Sequence, residues 1–213
     1  MKKELIKVAS ELDNYLKKVN KINSDDNFSK KYKSQEIKKA EKNFLNYSDN
    51  IFNKINENLD RQVKKSKEKL QKLQGDDYSK KQYEYIKAVN EMSNYENPAD
   101  YLKDKKEVAE SDVELQEARK VALNKARTTG QAEYEQLKEV IIDTMSQEEK
   151  EARKELAKVE IKRNNLKSAK NSFEYDFNRG ETNLDMIRTY LIEFSSEDNI
   201  EQKATKKIPD TIK

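Results

Sequence analysis

From Leu5 onward the apolar residues of this chain recur at spacings of three and four. Leu5, Val8, Leu12, Tyr15, Val19 and Ile22 form one such seam. This is the period of an amphipathic helix whose narrow stripe packs against another helix. Asn23-Ser24-Asp25-Asp26-Asn27 follows, a cluster of turn and capping residues that ends the first helix. A longer helix is predicted over 29–74. Its stripe begins Ile37, Ala40, Phe44, Tyr47 and Ile51, shifts to steps of four through Ile55, Leu59 and Val63, and resumes as Ser66, Leu70 and Leu73. The run of fours is a stutter that locally relaxes a supercoil. Gly75 fits the left-handed C-terminal cap of this helix.

Asp76-Asp77-Tyr78 reads as a turn, and Ser79-x-x-Gln82 as a capping box that opens a third helix. The stripe of that helix is Tyr83, Ile86, Val89, Met92 (or Ser93) and Tyr95, and Asn97-Pro98 both stops it and starts the next. The fourth helix carries Tyr101, Leu102, Val108, Leu115, Ala118, Val121 and Ala122, with Lys105 and Asp112 weakening the seam. Gly130 either breaks it or lies inside it at a cost of about 1 kcal/mol relative to Ala, and Tyr134, Leu137, Ile141 and Met145 carry the pattern on. Ser146-x-x-Glu149 opens a fifth helix with the stripe Ala152, Leu156, Val159, Arg163, Leu166, Ala169, Phe173 and Phe177, capped by Gly180. A last helix is expected over 182–194 through Leu184, Ile187, Leu191 and Phe194, after which the stripe is lost.

No strand pattern and no fixed-period repeat interrupts this series. The expected fold is all-α: elongated antiparallel helical hairpins, or a bundle, with coiled-coil-like packing. The breakers divide it into a long hairpin over 1–75, a short helix and connector over 76–98, a second bundle over 99–195 and an extended C-terminal tail over 196–213.

Composition agrees with thin helical layers. Only 34% of the 213 residues are hydrophobic and 40% are charged, too little apolar surface for a thick globular core. The net charge of +3 is unevenly placed. Residues 1–75 carry 19 Lys/Arg against 11 Asp/Glu, and the remainder carries 25 against 30. The longest clear aliphatic run is Val140-Ile141-Ile142, so no membrane span is expected. Charged residues from Glu4 to Asp13 interrupt the apolar run a signal peptide needs, so a cytoplasmic or intravirion location is expected.

Missing residue types exclude several chemistries. The chain has no His and no Cys. That removes histidine triads, thiolate nucleophiles and Cys/His zinc sites. Three isolated glycines form neither a phosphate-binding loop nor a dinucleotide fingerprint. Carboxylates remain: Glu148, Glu149, Glu151 and Glu155 cluster at a helix start. Their simpler reading is helix-terminus stabilisation and solvated pairs with Lys154 and Lys158. Arg163, in a seam, is expected to snorkel to an acid. No catalytic residue, cofactor or metal site is assigned.

Two groups of residues point to partners. Tyr78, Tyr83, Tyr85, Tyr95 and Tyr101 concentrate at the proposed boundary, where tyrosine supplies rigid amphipathic contact area. Ile208 and Ile212 in the tail extend this set as a docking arm. The second group is basic: Lys30, Lys31 and Lys33, then Lys64, Lys65, Lys69 and Lys72, with Tyr32, Phe44 and Phe52 among the lysines. Basic patches with aromatics bind single-stranded nucleic acid. Lys outnumbers Arg 37 to 7, which suits phosphate contact and disfavours base reading. The expected function is a non-enzymatic structural or assembly protein: a scaffold, adaptor or ring component, as a homo-oligomer or within a larger complex. Lys- and Asn-rich usage suits an AT-rich genome, and a phage virion or assembly protein is one such setting. Non-specific nucleic-acid binding through the basic third is the alternative.

Overall fold

A computed structural model of the chain describes residues 1–74, 77–178 and 197–212. The expected Gly75 and Gly180 caps and the helix over 182–194 lie outside these residues. The fold is all-α, with no strand among the described residues. The helices are α1 (Lys2–Ser24), α2 (Lys30–Gln74), α3 (Tyr78–Met92), α4 (Pro98–Val108), α5 (Asp112–Thr129), α6 (Gln131–Asp143), α7 (Gln147–Asn178) and α8 (Glu197–Lys207), followed by a 3-10 turn at Pro209–Thr211.

The helix ends follow local chemistry. Ser146 Oγ accepts the Glu149 N–H at 3.2 Å and opens α7 as the capping box predicts. The start of α3 differs: Asp77, not Ser79, is the cap, its carboxylate accepting the Lys80 N–H at 3.0 Å. The single fourth helix expected from Pro98 onward is two helices. Ser111 caps α5 through the Glu114 N–H, and the Glu114 carboxylate reaches back to the Glu110 N–H at 2.9 Å. Gly130 does break the chain between α5 and α6, at φ 158° and ψ 172°, a region essentially reserved for glycine. A Cβ there would meet the Glu133 carboxylate at 2.9 Å.

The chain forms two compact units, and neither is a continuous segment. The first comprises Met1–Gln62 and the described residues of Val159–Ile200. The second comprises Val63–Lys158 and Glu201 onward. The boundaries therefore fall inside α2 and α7, not at the Gly75–Pro98 punctuation. A helix breaker marks where a helix stops; it does not mark where packing changes partner.

Among the described residues, the first unit packs α1 with parts of α2 and α7. Leu5, Val8 and Leu12 of α1 are buried, as are Phe44, Phe52, Ile55 and Leu59 of α2. Aromatic rings join the helices. Tyr15 stacks on Phe44 at 5.4 Å, Phe44 meets Phe173 edge-on at 5.7 Å, and Phe52 lies 5.9 Å from Phe173. Such ring pairs add about 0.5–1.5 kcal/mol beyond their buried area. Arg163 leaves the seam for Asp60, 3.1 Å away, the snorkelling geometry expected of it.

In the second unit α5 packs against α3, α4 and α6. Its core joins Ala88 and Met92 of α3, Tyr101 and Leu102 of α4, Ala118, Ala122 and Ala126 of α5, and Leu137 and Ile141 of α6. Alanine on α5 lets the neighbouring helices approach closely. The C-terminal residues complete this core and do not form an extended arm. Residues 197–207 are helical, and Ile208 and Ile212 are each 3% exposed in the same cluster. The stripe Ala204, Ile208 and Ile212 steps by four and buries one side of the segment.

Candidate functional site

The third helix carries an exposed face unlike the charged surface around it. Its buried line is Ala88 and Met92. The stripe expected to face inward, Tyr83, Ile86 and Val89, faces solvent instead: these residues are 66%, 53% and 43% exposed. Tyr78 and Tyr85 are exposed beside them. At 100° per residue, Tyr78, Ser79, Gln82, Tyr83, Tyr85, Ile86, Val89, Asn90 and Ser93 share one arc of the helix. None of the nine is charged, in a chain that is 40% charged. Depletion of charge with enrichment of tyrosine is the composition of an interface centre.

The other tyrosines separate from this face. Tyr101 is 1% exposed and belongs to the core, its ring edge-on to Tyr95 at 5.3 Å. Burial, reinforced by the neighbouring Glu91 carboxylate, pushes its phenol well above the ordinary tyrosine range. Tyr95 is half-buried and donates to Asp104 at 3.0 Å. The two line a groove of about 480 Å³ with Glu91, Asn94, Asp104, Lys105 and Val108. Ile208 and Ile212, proposed from sequence as partner contacts, are core residues, since covering the α6 end takes the apolar side of this segment.

The lysines divide as well. Lys30, Lys31, Lys64, Lys65, Lys69 and Lys72 are exposed. Lys33 is occupied in holding the α1–α2 turn, donating to the Asn23 carbonyl at 2.8 Å. Beside Lys30 and Lys31 the partly exposed rings of Phe28 and Tyr32 lie 4.6 Å apart. Phe44 and Phe52 are core.

Inside the second unit, sequence reasoning missed two ionic clusters, one buried and one partly exposed. In one, Glu149 accepts from Arg119 Nη2 and Arg153 Nε, each at 2.8 Å. Arg153 Nη1 also donates to the Thr211 carbonyl at 3.0 Å and tethers the C-terminal turn. All three side chains are at least nine-tenths buried. Arg119 Nη1 has no partner, and burial pulls this guanidinium down, with Glu149 opposing. In the other cluster Glu114 accepts from Lys105 at 2.6 Å and Lys87 at 2.7 Å, and Lys105 also meets Glu91 at 2.7 Å. Burial alone would raise the Glu114 carboxyl, but the hydrogen bonds from Lys105, Lys87 and the Glu110 N–H outweigh it and hold the group at about 2. The i,i+4 spacing of Glu149 and Arg153 was the one signal in sequence. Both clusters bind helices to one another and present no open coordination position or nucleophile. No group of three or more acidic side chains suited to a metal occurs among the described residues, and no described helix is long and apolar enough to cross a membrane. Comparison with family models, curated proteins and solved structures finds no match to this chain.

Proposed function

We propose that this chain is a non-catalytic helical assembly protein that acts by binding another protein through the outward face of α3. The observation that carries the reading is the uncharged stripe of Tyr83, Ile86 and Val89, exposed on a helix that buries its opposite side. An apolar face of this extent marks an interaction site on a soluble protein. The ionic clusters support a structural reading, since their charges are directed at neighbouring helices. A virion or assembly-line setting is compatible with this role. The test is the native size of the protein in its source, for wild type and for the Tyr83→Lys, Ile86→Lys double variant. A complex larger than the monomer that the variant loses supports the reading; wild type running as a free monomer overturns it.

A second reading rests on the exposed lysines of α2 and on the Phe28–Tyr32 pair beside Lys30 and Lys31. These suit non-specific contact with a single-stranded backbone. Binding to random single-stranded DNA at 50 and 200 mM salt tests it, because phosphate contacts lose affinity steeply over about that range. Binding that is strong, salt-sensitive and lost on replacing Lys64, Lys65, Lys69 and Lys72 by Glu favours this reading over the first.

A further inference from the structure

We propose that the partner seated on α3 is a second copy of this chain, paired through antiparallel α3 helices about a two-fold axis at Ile86. This rests on the reading of α3 as a protein-binding face and names its occupant.

The first argument is periodicity. Ser79, Gln82, Ile86, Val89 and Ser93 alternate three and four apart along the outward arc, the spacing of a coiled-coil seam. The unit's own core uses a different line, Ala88 and Met92. So α3 carries a helix-pairing stripe that its own unit leaves open. A helix with the same stripe is the simplest complement.

The second argument is charge. A face meeting itself across a two-fold axis brings identical groups together, so any charge near the axis repels its copy. This face has none over nine residues. A basic or acidic partner segment would find no counter-charge here. An antiparallel pair also opposes the two helix dipoles favourably. With the axis at Ile86, Tyr83 of one copy lies on the same flank as Asn90 of the other, and Gln82 on the same flank as Val89. Ser79 lies beside Ser93, small residues where the helices begin to diverge.

The third argument is area. Taking roughly 200 Å² for a whole tyrosine side chain and less for the aliphatics, Tyr78, Tyr83, Tyr85, Ile86 and Val89 leave on the order of 500 Å² exposed. Two such faces in contact bury at most about 1,000 Å² from these side chains, of the order a specific interface has to reach.

The chain has no cysteine, so a single introduced thiol reports one position cleanly. Ile86→Cys puts two thiols at the proposed axis; Val108→Cys, at a residue 68% exposed in the same unit, is the control. Under mild oxidation at micromolar protein, Ile86→Cys is expected to form a covalent dimer at least about 10-fold faster than Val108→Cys. Equal rates overturn the pairing. Sedimentation equilibrium of the cysteine-free chain is expected to show a dimer, with Ile86→Lys raising the dissociation constant by about 100-fold through like charges at the axis. Unchanged helicity of Ile86→Lys by circular dichroism separates lost pairing from lost folding. A purified chain that stays monomeric overturns the pairing. If that chain still runs in a large complex in its source, the assembly reading stands; if it is monomeric there as well, both fall.

Discussion

The Arg119–Glu149–Arg153 cluster makes an asymmetric prediction. One carboxylate serves two guanidinium groups, and the three side chains are 2%, 7% and 3% exposed. Removing the carboxylate by Glu149→Ala leaves two positive charges buried with no counter-ion. Breaking a buried pair in this way costs about 3–5 kcal/mol. Arg119→Met has the opposite character. It removes a charge whose Nη1 has no partner, leaves Glu149 paired with Arg153 at 2.8 Å, and fills the space with a flexible apolar chain. Its cost is expected below about 1.5 kcal/mol, because an apolar replacement avoids the desolvation of the ion. Glu148→Ala, at an exposed neighbour in the same turn, is the control and should stay within about 0.5 kcal/mol. Urea unfolding followed by circular dichroism at 222 nm reads the difference. With a slope of about 1–3 kcal/mol per molar urea, the loss in Glu149→Ala moves the midpoint of the second unit down by roughly 1 M or more. If Glu149→Ala unfolds with Glu148→Ala, or if Arg119→Met is the worse of the pair, the carboxylate is not the hub of the cluster.

Three further outcomes are expected. The Glu114 carboxyl is held at about 2 in the folded state against an ordinary 4.5, so its contribution is complete above pH 4.5 and is lost as pH falls from there through 2. Lys87 is 40% exposed, and with that screening the contribution is about 1–2 kcal/mol; the stability gap between wild type and Glu114→Gln should close over that window, and a gap that is constant with pH refutes it. Phe44→Asp and Leu59→Asp each bury a charge among apolar neighbours and should cost several kcal/mol in thermal melts; variants that melt like wild type would remove both from the core. Ile208→Asp should lower the melting temperature, because Ile208 is 3% exposed in the second unit's core, whereas a docking arm would leave melting unchanged.

Periodicity made much of this fold legible. The stripes of α1, α2 and α7 placed Leu5, Leu12, Phe44, Leu59 and Phe173 in the core, and the Ser146 box placed the start of α7. What periodicity does not say is which surface covers a stripe. On α3 it gave Tyr83, Ile86, Val89 and Met92 as the buried line, and of these only Met92 is buried. The unit packs on Ala88 and Met92, where a small side chain permits close helix approach. The C-terminal segment failed for a related reason: Ile200, Ala204, Ile208 and Ile212 step by four, but one of them is alanine and all stand among charges. The break at Ala109–Ser111 carried its own box, Ser111-x-x-Glu114, hidden inside a weak seam. Of the candidate site, the lysines and the outward tyrosines were legible as residue types. Their exposure, and the diversion of Tyr101 into the core, depends on packing against other helices, whereas Lys33 is taken up by Asn23 across the adjacent turn.

The connectivity of the two units also bears on how the chain is made. Each unit joins an early segment to a late one: residues 1–62 to residues beyond 158, and residues 63–158 to residues beyond 200. On a ribosome, which releases about 5–20 residues each second from the N-terminus, neither unit can close while its later segment is still inside the exit tunnel. The helices of α1 and α2 can form as they emerge, but their apolar stripes wait for α7, and the second core waits for Ile208 and Ile212. The first unit is therefore deferred until α7 has emerged, and the second until Ile208 and Ile212 have. A nascent chain halted before residue 200 would expose the stripes of both, which makes incomplete translation products of this protein natural targets for chaperones and proteases.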